Sequence, residues 1–557
     1  MQDLRTYNLA DQWEAVSDRV AGREAVVCGG RRLTYGELEE RANRLANHLA
    51  SVGVGPGDFV GCYLTNSTEY LETLLACFKL RAVPVNINYR YVADELRYLF
   101  TDAGLVAVVC HQQFAPRVAE VAADVPDLRH TLVVADGDGV AGAEEDAGPA
   151  SLGDVPGGTD YDDALAAARS DRPVVPDRGD DDLYVIYTGG TTGMPKGVVW
   201  HMGDAFFGCI GGGDPMRLSG PVSSPAETVE RIIDFDFVFY ALAPLMHAAA
   251  QWVSFMWLLC GAKVVLHTGP FDPAVVWRTI ESEKVSTTTV VGDAMARPLC
   301  DEWDASGPYD VSTLFAFSNG GAPLTATTKA RLQEMMPGVV LTDGFGSSET
   351  GIQGSQRLEP GDDAGTVTRF DNVMDGTKVL DDDHAEVAPG SGVTGRVAHT
   401  GYIPVRYHNA PEKTAETFVE VDGRRYVLSG DMATVEADGS IVLLGRGSVS
   451  INTGGEKVYP EEVEAVLKGH PAVYDVLVVG VPHERWGEQV VAVVQPTPGT
   501  GVALEDLVDH CRGHLAGYKL PRGLVEVDRI VRSPAGKADY RWAKDQAATS
   551  ADRPPTS

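Results

Sequence analysis

The chain has 557 residues, 44% hydrophobic and 22% charged, with 79 acidic against 46 basic side chains and a formal net charge of −33. Such a composition is that of a globular protein and excludes a collagen-like, coiled-coil or wholly disordered chain. The negative surplus disfavours nucleic-acid backbones and anionic membrane surfaces as partners, so any anionic substrate must be received at a local cationic site.

At about 100–200 residues per domain, the length predicts roughly three or four core-bearing units. The opening Met1-Gln2-Asp3-Leu4-Arg5 has neither the basic start nor the apolar run of a secretory signal. Thr34-Tyr35-Gly36-Glu37 reads as a capping box. It opens a helix whose apolar residues Leu38, Ala42, Leu45 and Leu49 recur at helical spacing, with Gly53 as its stop. A strand over 59–64, a helix around 70–80 and a strand at Val83-Pro84-Val85-Asn86 follow. This alternation predicts an α/β fold of parallel sheets covered by helices. Residues 136–163, rich in Gly, Ala, Asp and Glu without periodicity, read as an exposed loop. The acidic patch 177–182 leads into a strand over 183–187. The apolar stretch 248–266 is interrupted by Gln251, Ser254, Gly261 and Lys263, and so reads as core and not as a membrane span.

The eight cysteines (Cys28, Cys62, Cys77, Cys110, Cys209, Cys260, Cys300 and Cys511) contain no CxxC and sit mostly in apolar stretches. Free buried thiols, a reducing compartment and a cytoplasmic protein are therefore expected. Near Gly445-Arg446-Gly447-Ser448 the pattern shifts to smaller strand and helix units. The predicted organisation is a large N-terminal domain over 1–445, a small C-terminal domain over 446–545 and a disordered tail over 546–557. No internal repeat is visible.

The stretch richest in chemistry is Thr188-Gly189-Gly190-Thr191-Thr192-Gly193-Met194-Pro195-Lys196-Gly197. Glycines let backbone N–H groups approach an anion, hydroxyls add donors and the lysine adds a point charge, which together suit a polyphosphate. It is not a Walker A loop, because Gly197 stands where that motif has Ser or Thr.

This run resembles the phosphate-binding signature of the adenylate-forming superfamily, which includes acyl-CoA synthetases, luciferases and peptide-synthetase adenylation domains. The resemblance continues in order along nearly the whole chain. Asp343-Gly344-Phe345-Gly346-Ser347-Ser348-Glu349-Thr350 is similar to the family's aromatic-Gly-x-Thr-Glu motif. That match implies Phe345 against adenine, Ser348 on phosphate and Glu349 on a magnesium ion, with Phe and Ser in place of the commoner Tyr and Thr. Ser318-Asn319-Gly320-Gly321-Ala322-Pro323 resembles the adenine-pocket loop. Pro244-Leu245-Met246-His247 resembles the segment whose histidine lies between nucleotide and acyl pockets. Asp431 matches the ribose-binding carboxylate, Arg446 the arginine before the interdomain hinge, and Lys537 the C-terminal lysine of the adenylation step. Gly454-Gly455-Glu456-Lys457-Val458-Tyr459-Pro460 resembles the loop that enters the site for thioester formation. Ser448 stands where many relatives carry Asp or Lys, and Asn452 replaces a lysine of luciferase-like relatives.

The resemblance implies a large N-terminal domain of α/β subdomains and a small, mobile α+β C-terminal domain. It implies catalytic roles for Lys537, Glu349, His247 and Lys196. The nucleotide would be held by Thr188, Gly189, Gly190, Thr191, Thr192, Gly193, Lys196, Gly320, Gly321, Ala322, Asp343, Gly344, Phe345, Gly346, Ser347, Ser348, Asp431, Arg446 and Lys537. ATP, Mg²⁺ and CoA would be the cofactor and substrate set.

The implied reaction is AMP-forming activation of a carboxylic acid followed by transfer to CoA. Three further segments, Val291-Gly292-Asp293-Ala294-Met295-Ala296-Arg297-Pro298, His247-Ala248-Ala249-Ala250-Gln251-Trp252 and Ile451-Asn452-Thr453-Gly454-Gly455-Glu456-Lys457, resemble actinobacterial ligases of fatty-acid and steroid-side-chain type. The alternative is a biosynthetic adenylating enzyme with a non-CoA acceptor, including one that activates nitrite for diazotisation of an aromatic amine, because the nucleotide half is shared. No carrier domain or phosphopantetheine serine motif is visible. A nucleotide-binding protein without turnover is disfavoured by the intact set Lys196, Glu349, Asp431 and Lys537.

Overall fold

The computed structural model describes residues 4–136, 152–190, 193–363, 368–453, 456–483, 485–532 and 537–551. The helix expected after the capping box is Tyr35–Ser51, with Thr34 and Glu37 capping each other's backbone reciprocally. Its stripe Leu38, Ala42, Leu45 and Leu49 is fully buried, as helical periodicity requires of a core-facing surface. The next strand and helix are Phe59–Tyr63 and Thr68–Leu80.

Among the described residues, the strands form five sheets. One is a parallel sheet in the order Val83–Asn86, Phe59–Tyr63, Leu105–His111, His130–Val134 and Gly158–Asp160. Another has nine strands, parallel from Glu24–Cys28 through Lys263–Leu266, Val238–Ala241, Thr287–Val290 and Ala316–Gly320 to Val340–Ser347, and antiparallel at both edges. These are the parallel sheets that the alternation predicted. A third, antiparallel sheet of Thr377–Leu380, Gly395–Thr400, Arg424–Val435, Phe418–Val421 and Ile441–Arg446 was not anticipated. Strands such as Phe418–Val421 and Ile441–Arg446 are short and partly exposed, which leaves little periodic signal.

The C-terminal sheet is built on the long hairpin of Val473–His483 and Gly487–Pro496. Helices Pro460–Leu467 and Leu504–Arg512 pack on one side of it and Tyr540–Ala551 on the other.

Two expectations need correction. The loop expected over 136–163 contains the strand Gly158–Asp160 and the start of helix Tyr161–Ala167. Tyr161 is buried there and donates to Glu72 at 2.7 Å, which pins the segment. Residues 137–151 lie outside the described residues. The expected tail begins inside a helix: Ala543 and Ala547 pack one turn apart against the C-terminal core, and this burial carries helix Tyr540–Ala551 past residue 546. Residues 552–557 lie outside the described residues. All eight cysteines are free, and every one but Cys28 is buried. Among the described residues no helix is long and apolar enough to cross a membrane.

Candidate active site

The stretch expected as a strand entering a loop is a β-hairpin, Leu183–Gly190 paired with Gly193–His201. Thr191 and Thr192 lie outside the described residues. The register sets Lys196 directly opposite Thr188 and Gly193 opposite Gly190, so hydroxyl, lysine and bare backbone are collected at one hairpin end. Asn86 ties this hairpin to the His247 segment: its amide donates to the carbonyls of Tyr187 (2.9 Å) and Met246 (2.7 Å), and its oxygen accepts from the Tyr187 N–H. Gln251 donates to Leu245 O at 2.7 Å, and Asn66 accepts from the Leu245 N–H. His247 is thereby fixed at the N-terminus of helix Ala248–Leu259. Its Nε2 is buried without a hydrogen-bond partner among the described residues. Burial and the charge of Lys537 hold its pKa down to about 4, so the imidazole is neutral at physiological pH.

Gly320 and Gly344 lie side by side on neighbouring strands. A Cβ on either would meet nothing closer than 3.5 Å, so protein packing does not demand glycine there, and a planar ligand can lie on the bare backbone. Gly321 follows at φ +81°, the left-handed region glycine tolerates. Phe345 packs on Phe370 with ring centroids 4.5 Å apart. Ser348 O accepts from Trp200 Nε1 at 3.0 Å, and Ser347 is tied to Thr350. Glu349 Oε1 accepts from the hydroxyl of Tyr407 at 3.0 Å.

Asp343 differs from the others. It is buried, Lys329 Nζ lies 2.7 Å from its Oδ2, and Asn319 donates to its Oδ1 at 2.7 Å. Burial pushes its pKa up, and the Lys329 ammonium opposes that shift. Both carboxylate oxygens are thus engaged by protein. Asn319 in turn donates to Ala322 O and accepts from the Gly292 N–H, so Asp343 braces the loop 318–323 from behind.

Asp431 and Arg446 face each other in adjacent strands, Nε to Oδ1 3.5 Å. Burial raises the Asp431 pKa against the pull of Arg446. Lys537 joins this group from the far end of the chain. Its residue surface reaches solvent, yet burial of the amino group and the neighbouring Arg446 charge lower its pKa, while Glu349 and Asp431 pull it upward. The structure therefore brings Lys537, Glu349, Asp431, Arg446 and His247 into one electrostatic cluster. It does not bring in the other C-terminal segment: the hairpin Ile451–Thr453 and Glu456–Val458 pairs with Gly487 and Glu488 of its own sheet. Residues 454–455 and 533–536 lie outside the described residues.

Comparison with known proteins fits this geometry. The AMP-binding enzyme family matches residues 13–406, and the AMP-binding enzyme C-terminal domain matches residues 462–537. The chain belongs to the AMP-binding enzyme family. It is 45% identical over 545 residues to the 3-oxocholest-4-en-26-oate–CoA ligase of Rhodococcus rhodochrous, covering 97% of this chain and 96% of that protein. It is also 45% identical over 543 residues to a medium/long-chain-fatty-acid–CoA/3-oxocholest-4-en-26-oate–CoA ligase of Mycolicibacterium smegmatis, with the same coverage. Among solved structures, ATP-bound MatB from Rhodopseudomonas palustris superposes with a TM-score of 0.79 at 26% identity, covering 97% of this chain and 98% of that one. An anthranilate CoA ligase with bound anthranoyl-AMP gives a TM-score of 0.80 at 24% identity over 98% of both chains, a likeness of fold. The fold is that of an adenylate-forming enzyme, with a large N-terminal and a small C-terminal domain.

Sequence reading missed Tyr407, Lys329 and Asn86 in this AMP-binding enzyme. Each acts through a partner on a different secondary-structure element, and none sits in a motif. Helix Ala326–Met335, ATTKARLQEM, has no apolar stripe that would mark Lys329 as buried, so its need for a carboxylate shows only in the fold.

Proposed function

We propose that this enzyme is an AMP-forming acyl-CoA ligase for long or bulky apolar carboxylic acids of fatty-acid and steroid-side-chain type. The observation that carries the reading is the meeting of Lys537 with Glu349, Asp431 and Arg446, which is the charge distribution an adenylation step needs. The names of the relatives and the small Ala248-Ala249-Ala250 run after His247 support the acyl class. The acceptor is CoA: the curated relatives at 44–45% identity are all named as CoA ligases, which disfavours nitrite or an amine.

In the first step a substrate carboxylate oxygen attacks the α-phosphorus of ATP, the α–β bridging bond breaks and pyrophosphate leaves. Negative charge gathers at the α-phosphate, where Lys537 supplies a positioned ammonium. The Thr188 and Lys196 end of the hairpin, with Thr191 and Thr192, grips the β- and γ-phosphates, and Ser348 adds a donor. Gly320, Gly321, Ala322, Gly344 and Phe345 take the adenine, and Asp431 takes the ribose hydroxyls, with Arg446 holding its carboxylate. Asp343 serves by bracing Asn319. A neutral His247 faces the incoming carboxylate without competing with Lys537 for charge.

In the second step the CoA thiolate attacks the acyl carbon, the acyl–phosphate bond breaks and AMP leaves. Among the described residues no three His, Cys, Asp or Glu side chains could hold a metal together. A single Glu349 fits magnesium carried on the phosphates of ATP, the usual mode for this ion, which when bound neutralises triphosphate charge. The domain boundary is placed at Arg446. Free thiols throughout support a cytoplasmic location.

The test is product analysis by mass spectrometry with ATP, Mg²⁺ and CoA across fatty, steroid-side-chain and aromatic acids, beside a nitrite and aminobenzoate set. CoA thioesters with AMP and pyrophosphate are expected. Lys537→Ala should abolish adenylate formation while ATP still binds. AMP release without thioester, with a diazo or amide product, would overturn the reading.

A further inference from the structure

The small domain is held where it lies by buried charges that no part of the nucleotide pocket uses. They begin on helix Asp293–Ser306 of the large domain. The guanidinium of Arg297, 11% exposed, reaches across the boundary and donates to three backbone carbonyls of the small domain. These are Lys468 O at 3.1 Å, Val473 O at 3.5 Å and Tyr474 O. Lys468 is the residue that closes helix Pro460–Leu467, so its carbonyl belongs to the negative end of that helix dipole. Asp293, 4% exposed, stands one turn before Arg297, and its Oδ2 lies 3.5 Å from both Arg297 Nε and Lys468 Nζ. Lys468 continues to Asp475 at 3.5 Å, and Asp475 is gripped by both guanidinium ends of Arg532 at 2.8 Å. Arg532 bridges Ala538, the neighbour of Lys537.

At its other end the chain of contacts enters the adenine loop. The Gly292 N–H donates to Asn319, the Asp293 N–H donates to Pro323 O, and Asp293 Oδ1 accepts from Thr325. Gly292 has φ +61°, and a Cβ there would stand 2.7 Å from Pro323 O, so this helix start cannot drift from the loop. Loop 318–323 and the segment bearing Lys537 are thus joined through Asp293, Lys468, Asp475 and Arg532, with Arg297 as the clamp.

Three features separate this arrangement from ordinary packing. Charges buried at a boundary between two bodies hold strongly when paired, and they recover hydration when the bodies part. The contact therefore favours two discrete states and not a graded slide. Across the boundary the acceptors of Arg297 are backbone carbonyls, so its grip reads the position of the small-domain backbone, to which Lys468 adds one side-chain contact with Asp293. The clamp also lies outside the cluster of Lys537, Glu349, Asp431 and Arg446, and reaches it through Ala538, the neighbour of Lys537.

We propose that Arg297, with Asp293 and Lys468, is a positioning clamp for the first half-reaction, which registers Lys537 on the nucleotide and must release before the CoA thiol can react. The inference rests on the ligase reading, and the experiment keeps the two apart. Full-length enzyme is assayed separately for acid-dependent ATP–pyrophosphate exchange and for conversion of chemically prepared dodecanoyl-AMP with CoA to the thioester. Wild-type thioester formation tests the ligase reading; the variants test the clamp.

Arg297→Ala should lose about 100-fold in exchange, the scale of a displaced catalytic group. Conversion of the preformed adenylate should stay within about twofold of wild type. Lys468→Gln, made from the small-domain side, should show the same split and carries the test should Arg297→Ala fail to fold. Equal loss in both half-reactions, or no loss in exchange, would overturn the proposal.

Discussion

Lys329→Met tests whether Asp343 is a brace or a nucleotide ligand. The Lys329 ammonium lies 2.7 Å from Asp343 Oδ2 and donates to Gln356 Oε1 and Thr368 Oγ1 at 2.8 Å each, with its side chain 2% exposed. Removing it leaves a buried carboxylate with only the Asn319 hydrogen bond at 2.7 Å. Deleting one partner of a buried pair costs about 3–5 kcal/mol, a large share of the roughly 5–15 kcal/mol that holds a domain together. The loss should spread through Asn319 into loop 318–323 and raise the KM for ATP in pyrophosphate exchange. Adding Asp343→Asn removes the stranded charge and should restore most of the stability and the ATP response. Urea unfolding of the single and double variants, read beside ATP KM, checks this. Lys329→Met within about 1 kcal/mol of wild type would refute the brace. So would a double variant that regains stability but not ATP binding, since Asp343 would then touch the nucleotide itself.

Further predictions concern the Gly445–Arg446 turn and the Glu349 carboxylate. Tyr407→Phe removes a 3.0 Å hydrogen bond to Glu349, a contact to a charged acceptor worth about 1.5–3 kcal/mol; titration of exchange activity with Mg²⁺ should show a raised requirement for the ion with little change in CoA KM. Glu461 lies against Gly445, and burial followed by the nearby Glu464 charge raises its pKa to about 8. Because the value is raised above the ordinary 4.5, its support for the observed domain arrangement is complete at low pH and is lost as pH climbs through about 8. Exchange activity should therefore decline from neutral toward alkaline pH, and Glu461→Gln should flatten that limb. Gly445 has φ +122°, and a Cβ there would fall 2.0 Å from Glu461 Oε2. Gly445→Ala should therefore lower exchange more than conversion of preformed acyl-adenylate, measured in parallel.

The sequence by itself carried the local chemistry. Thr34 and Glu37 announced their cap, and the Leu38–Ala42–Leu45–Leu49 stripe announced a buried helix face, because each depends on neighbours within a few residues. Motif order along the chain was enough to name the superfamily. The tertiary structure alone decided how these pieces act together. Asp343, adjacent in sequence to the adenine motif, spends its carboxylate on Lys329, while Tyr407, in no motif, holds Glu349. Residues 546–551 are helical because Ala547 reaches a core formed by the strands of Leu477, Val479, Val491 and Val493, which composition cannot register. The position of the small domain likewise depends on Arg297 meeting carbonyls about 170 residues away. Pairings of that range are set by the relative placement of two folded bodies, and only the three-dimensional arrangement holds that information.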